Sequence, residues 1–189
     1  MSVTDHRFDT GRLCLDLTAT VGSALGDSPV ERLESPDRLR QWLVGAGLLT
    51  TEQNIEVDAG WLALFRSLRT LIDRTVHDAL AEHVRDADLD RINSFTRVAP
   101  PAIRIERDDH GFRAKLNTPV TAEAFASVIS RDLISLLASQ QRGLLHQCDR
   151  EDCGLVYVDT SRGHRRRWCS GASCGNRERV ARHRARTHT

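Results

Sequence analysis

Aromatic side chains are scarce: the 189 residues include one Tyr, three Trp and five Phe. That is too few for a platform that stacks single-stranded bases. Long apolar runs are missing as well, and mean hydropathy is -0.40. A bilayer demands roughly 20 consecutive apolar residues, so no membrane span is expected. Internal repeats, low-complexity tracts and Gly/Ser linkers are absent. Lys is nearly so, with Lys115 alone against 26 Arg. A GC-rich genome explains that ratio, so where the charge lies is more informative than the choice of Arg. The first ten residues are polar and carry Asp5, Arg7 and Asp9, which does not read as a secretory signal. With five cysteines, an odd count, a disulfide scaffold is not expected either. A cytoplasmic protein is the reading.

Apolar residues make up 40% of the chain and charged ones 28%, enough to bury a core. The formal net charge of +1 hides a division. Residues 1–141 carry 16 basic and 21 acidic side chains, whereas residues 142–189 carry 11 Arg against 5 acids. From Arg162 onward there are nine Arg and one acid, Glu178. Such asymmetry points to a polyanion partner at one end.

The first part reads as helical. Leu13, Leu17 and Val21 recur every four residues and favour a short helix, with a strand as the alternative. Ser35 and Pro36 supply a cap and first turn for a helix with a Leu39, Trp42, Leu43 stripe, ending at Gly45 or Gly47. Asp58 opens a long helix whose inward stripe is Trp61, Leu64, Phe65, Leu68, Leu71, Ile72, Val76 and Leu80. A shorter helix runs around Leu89, Ile92 and Phe95. Alternation at 103–106 and 112–116 about Asp109-His110-Gly111 predicts a β-hairpin. Thr121 then starts a helix through Phe125, Val128, Ile129, Leu133, Leu136 and Leu137. No pair of His or Asp residues here has catalytic spacing, and His77 and His83 read as surface or core residues. No enzyme is expected.

Cys148 and Cys153 form one Cys-x4-Cys loop, and Cys169 and Cys174 a second, fifteen residues on. Zn²⁺ takes four soft thiolates tetrahedrally, and two tight loops can each present two sulfurs. In both halves Gly follows the second cysteine, at 154 and 175, where a positive φ would turn N–H groups toward the thiolates. A redox pair is a weaker reading, since the spacing is not Cys-x-x-Cys. Catalytic zinc needs an open position that four thiolates deny. His146 or His164 could substitute for one cysteine, although the symmetric quartet makes this unnecessary. A segment of about 48 residues with few large apolar side chains needs such a staple. Short strands are expected at 144–147, 155–160 and 166–169.

After Gly175, residues 176–186 contain no helix breaker. Asn176 or Ser173 can cap the helix, and Val180, Ala181 and Ala185 share one side, suited to packing on the zinc module. Repelling like charges in adjacent turns favour a phosphate partner. The candidate nucleic-acid contacts are Arg165, Arg166, Arg167, Arg177, Arg179, Arg182, Arg184 and Arg186.

Trp168-Cys169-Ser170 followed by Cys174-Gly175-Asn176-Arg177 resembles the CGNR zinc finger of bacteria. Cys148-x4-Cys153-Gly, Asp159-x-Ser161-Arg162 and Arg166-Arg167 before the Trp fit the same pattern. Residues 13–17 and the Ser35-Pro36 to Trp42-Leu43 stretch resemble the ABATE domain that usually precedes this finger in stress-related transcription regulators. Ala19 departs from the family pattern, which commonly has Asn there. The resemblance implies one structural Zn²⁺ on the four cysteines and double-stranded DNA as partner. The expected architecture is α+β: a mainly helical domain, 1–141, with one hairpin, then a four-cysteine zinc module, 142–189, with short strands and a basic helix. The first unit would sense a small-molecule effector or form a homo-oligomer. A protein- or RNA-interaction module, and an enzyme in the helical part, are the alternatives.

Overall fold

The computed structural model describes residues 6–109, 111–117 and 119–187. His110, at the expected hairpin turn, and the side chain of Ala185 lie outside them. The chain is α+β. Helix α1 is Leu13–Thr18, and two-residue strands β1, Val21–Gly22, and β2, Val30–Glu31, pair antiparallel. Then come α2, Pro36–Gly45; α3, Ala59–Leu80; α4, Asp86–Phe95; β3, Ile103–Asp108; β4, Gly111–Leu116; and α5, Ala122–Leu137. A 3-10 turn, Gln140–Leu144, leads into β5, Leu145–Gln147, and β6, Val156–Val158. A wide turn, Gly171–Gly175, runs into α6, Asn176–Thr187.

The helix starts follow local chemistry. Ser35 Oγ accepts from the Arg38 N–H at 3.3 Å, Asp58 Oδ1 from Trp61 at 2.9 Å and Thr121 Oγ1 from Ala124 at 3.2 Å. Each satisfies an N–H that the first helical turn leaves open. Along α3 the buried stripe is Leu62, Phe65, Leu68, Leu71, Ile72 and Val76, with Arg69 and Thr75 also buried. Trp61 and Leu64 are half-buried, and Leu80 is exposed where the helix runs past the body. In α4, Ile92 is buried and Leu89 exposed.

Helix α1 is the centrepiece: Cys14, Leu15, Asp16, Leu17 and Thr18 are all buried, packed chiefly on α3 and α5. Asp132 of α5 fixes its start, accepting from the Cys14 N–H at 2.9 Å and from Arg12 Nε at 3.0 Å. Burial pushes the Cys14 thiol pKa well above its ordinary value, so it is a core methylene-and-sulfur group held protonated. The β3–β4 hairpin pairs Ile103 with Leu116 and Ile105 with Ala114. Ile103, Ile105 and Phe112 are exposed on it, while Leu116 packs against the core.

The core does not stop at residue 141. Leu145, Val156 and Val158 of β5 and β6 are buried in the same cluster as Leu15, Phe65 and Leu133. The Val158 N–H donates to the Thr10 carbonyl at 2.8 Å, and the Ala24 and Leu25 N–H groups donate to the Cys153 and Asp152 carbonyls. Among the described residues no helix is long and apolar enough to cross a membrane.

Candidate metal centre and nucleic-acid interface

The C-terminal segment brings all four paired cysteines together. Their sulfurs lie within 4.8 Å of one another. Cys153 and Cys169 are 3.6 Å apart, Cys169 and Cys174 3.5 Å, and Cys174 and Cys153 3.6 Å. A disulfide would need about 2 Å. A tetrahedron with metal–sulfur bonds of about 2.3 Å has sulfur–sulfur edges of about 3.8 Å, so the quartet fits one zinc ion. All four cysteines are buried. His146 stacks on Tyr157 and the His164 ring meets the Asp159 carbonyl; neither joins the quartet.

The electrostatics of the quartet favour a cation. Hydrogen bonds from the Cys153 and Cys169 side chains push the Cys148 thiol pKa well below its ordinary value. The same contacts to the Cys148 sulfur push Cys153 and Cys169 up. Sulfurs this close share one negative charge unless a positive ion lies between them. A zinc ion makes all four thiolates and supplies folding energy to a segment with little core of its own.

Short loops present the ligands. The β5–β6 pair closes the first, and the Cys148 N–H donates to the Leu155 carbonyl at 2.9 Å. Gly154 has φ +69°, and a Cβ there would meet Leu25 Cγ at 2.7 Å. This half of the glycine expectation holds. Gly175 does not: it lacks a positive φ, and its N–H donates to the Ser170 carbonyl at 2.9 Å. Sulfur-directed N–H groups come instead from Cys169, donating to Cys148 Sγ at 3.4 Å, and from Leu155, which favours the Cys153 thiolate.

Segment 166–169 is not a strand, contrary to expectation. Its polar groups are taken one by one by side chains. The Arg166 N–H donates to Asp159 Oδ2 at 2.9 Å, Tyr157 Oη donates to the Arg166 carbonyl, and the Cys169 N–H goes to sulfur. Only the Arg167 carbonyl meets another backbone N–H, that of Asp149 at 2.9 Å. Buried Asp159 is the hub of this turn. Hydrogen bonds from Ser161 and from the Arg166 peptide hold its pKa down to about 2.

Residues 11–140 match the family model ABATE, described as "Putative stress-induced transcription regulator", and residues 145–187 match the CGNR zinc finger. The chain belongs to the ABATE family. No curated protein matches it. The four cysteines of its CGNR finger hold one structural zinc.

Two side-chain contacts also tie the ABATE region and the residues before it to the metal centre, and the sequence patterns missed both. Arg7 Nη1 donates to Cys169 Sγ at 3.1 Å and Nη2 to the Cys169 carbonyl at 2.6 Å. Although burial opposes its charge, the Cys169 sulfur and Asp9 hold the Arg7 pKa above its ordinary value. His77 of α3 meets the Asp73 carbonyl at 2.8 Å and the Gly154 carbonyl at 2.9 Å. No spacing marks either residue, because the partners lie 162 and 77 positions away. Ala19, the departure from the family pattern, is buried against the quartet.

The candidate basic residues fall into two groups. Arg166 is turned inward: Nε donates to the Trp168 carbonyl at 2.9 Å, a terminal nitrogen meets the Cys169 carbonyl, and the guanidinium lies 4.3 Å above the Tyr157 ring. Arg165, Arg167, Arg177, Arg179, Arg182, Arg184 and Arg186 are exposed. Arg167 also meets Asp149 at 2.6 Å, and Arg182 meets Glu178 at 3.4 Å. The cap of the α6 region is Ser170, accepting from the Ser173 N–H at 3.3 Å, because the wide turn carries the helical path back past Asn176. Val180 and Ala181 are exposed rather than packed on the module. Helix α6 meets the rest of the finger mainly through the 171–175 turn, with Arg182 5.9 Å from the Trp168 ring.

Proposed function

We propose that this protein binds double-stranded DNA through the finger and α6 and regulates transcription, with no catalytic role of its own. One observation carries the reading: α6 holds five Arg and one acid, all five Arg are exposed, and the helix begins directly after the turn that contains Cys174. A helix with such a surface gains little from packing, whereas phosphates would relieve its self-repulsion. Arg165, Arg167, Arg177, Arg179, Arg182, Arg184 and Arg186 face solvent and can reach a duplex. Arg166 braces the finger.

In this reading residues 142–189 act as the reader and residues 1–141 sense an effector or form a homo-oligomer, in the cytoplasm. The seating of β5 and β6 in the shared core supports such communication, since a change in the helical part is felt at the finger.

The test is duplex titration at several salt concentrations. If six of these Arg neutralise phosphates, log K falls against log[salt] with a slope of about −5. Removal of residues 162–189 should abolish binding. A flat salt response, or binding indifferent to that truncation, would overturn the proposal. Pull-downs with and without nuclease separate it from docking on an acidic protein.

A further inference from the structure

Between the β1–β2 loop and the zinc finger lies a cleft of about 130 Å³ into which four arginines from four separate segments converge. Arg7 comes from the N-terminal stretch, Arg32 from just after β2, Arg150 from the first cysteine loop and Arg177 from the first turn of α6. Ser23 and Ser173 add hydroxyls, the zinc ligands Cys153 and Cys174 form part of one wall, and no carboxylate side chain is among the lining residues. Two features mark the cleft as shaped. A Cβ on Gly22 would come within 2.5 Å of Arg32 Nη1, so the glycine leaves the space the guanidinium occupies. Ser23 has φ +48°, a left-handed conformation that non-glycine residues adopt rarely.

The arginines are not equivalent. Arg7 is engaged by Asp9 and Cys169, and Arg150 by Asp152 through one terminal nitrogen. Those acids and the zinc–thiolate centre offset much of the formal charge. N–H donors nevertheless remain in excess, since each guanidinium offers five and accepts none. Arg177 has no partner among the described residues. Planar guanidinium forks match the oxygens of a tetrahedral oxyanion.

We infer that this cleft is a binding site for a phosphoryl group. Two sources share that chemistry: a small phosphorylated molecule acting as effector, or a phosphate of the DNA backbone. The first is independent of the DNA-binding proposal; the second rests on it.

The experiment uses the zinc-loaded full chain, titrated with inorganic phosphate by calorimetry and thermal shift against chloride at equal ionic strength. Arg32→Gln and Arg177→Gln are measured in parallel, with zinc content confirming that each is folded. The expected result is saturable phosphate binding that weakens at least fivefold in each variant. If phosphate does not bind but Arg32→Gln weakens duplex binding at least fivefold, the phosphoryl group is that of DNA and the site stands. If phosphate does not bind and Arg32→Gln leaves duplex affinity unchanged, or if phosphate binds equally to all three proteins, the inference is overturned. Should Arg32→Gln lose zinc, Arg177→Gln decides by the phosphate titration alone, since its duplex contact already belongs to the DNA reading: phosphate affinity weakened at least fivefold supports the site, and phosphate affinity unchanged or absent overturns it. Failure of the DNA reading looks different: no protein binds duplex, while the phosphate titration is unaffected.

Discussion

At the scale of single residues, Arg7 is the most consequential side chain outside the quartet. It approaches a ligand sulfur from a segment more than 140 residues away and donates to both the sulfur and the carbonyl of Cys169. Partners that orient metal ligands typically change affinity 10–100-fold. Arg7→Ala should therefore lower zinc retention against a competing chelator by about tenfold while leaving the helical signal in place. Asp16 is a different case. Its carboxylate accepts from Thr10 Oγ1 at 2.7 Å and from the Thr10 N–H at 3.2 Å, yet burial dominates and raises its pKa to about 6. The folded protein thus holds this proton more tightly than the unfolded chain. The stability this group contributes is full below about pH 4 and is lost as pH rises through 6. At about 1.4 kcal/mol per pKa unit the difference is about 3 kcal/mol. Relative to the native protein, Asp16→Asn should gain Tm as pH rises from 4 to 7, read by calorimetry as the difference between the two proteins at each pH. The quartet itself was legible from spacing because its ligands sit in two short loops. Arg7, His77 and the Asp159 hub were not, since contacts across long sequence separations leave no local pattern.

At the scale of elements, every long helix and the hairpin could be read from periodicity and caps, because Ser35, Asp58 and Thr121 act on N–H groups three residues away. The errors fall where tertiary context decides. Segment 166–169 has strand-like residues, but side chains and a sulfur take its backbone groups before a ladder can form. Val180 and Ala181 of α6 stay exposed, because the chain leaves the module at its last ligand. A 12-residue helix without tertiary support is marginal in water, and like charges lower its stability further. In free protein α6 should therefore fray, and duplex addition should increase the far-UV helical signal by the equivalent of several residues. Circular dichroism of the full chain with and without duplex checks this. An unchanged signal would mean that α6 is already rigid or does not meet DNA.

At the scale of the whole molecule, the finger is not a pendant unit. The expectation of a coreless segment stapled by zinc was half of the account; Leu145, Val156 and Val158 of that segment complete the helical core. Leu145→Ala, at a site 5% exposed, should cost about 2–5 kcal/mol. It should also speed zinc loss to a chelator, because the same strand leads into Cys148. A fall in Tm with zinc loss unchanged would show that the two regions fold independently. The central claim is that one zinc ion on four sulfurs sets the geometry from which α6 meets DNA. Its most direct test is duplex affinity measured on the same full-length preparation before and after zinc removal, at fixed salt. The account predicts one zinc per chain at the start and at least a tenfold loss of affinity when it is gone, restored on adding zinc back. Equal affinity with and without the metal would contradict it.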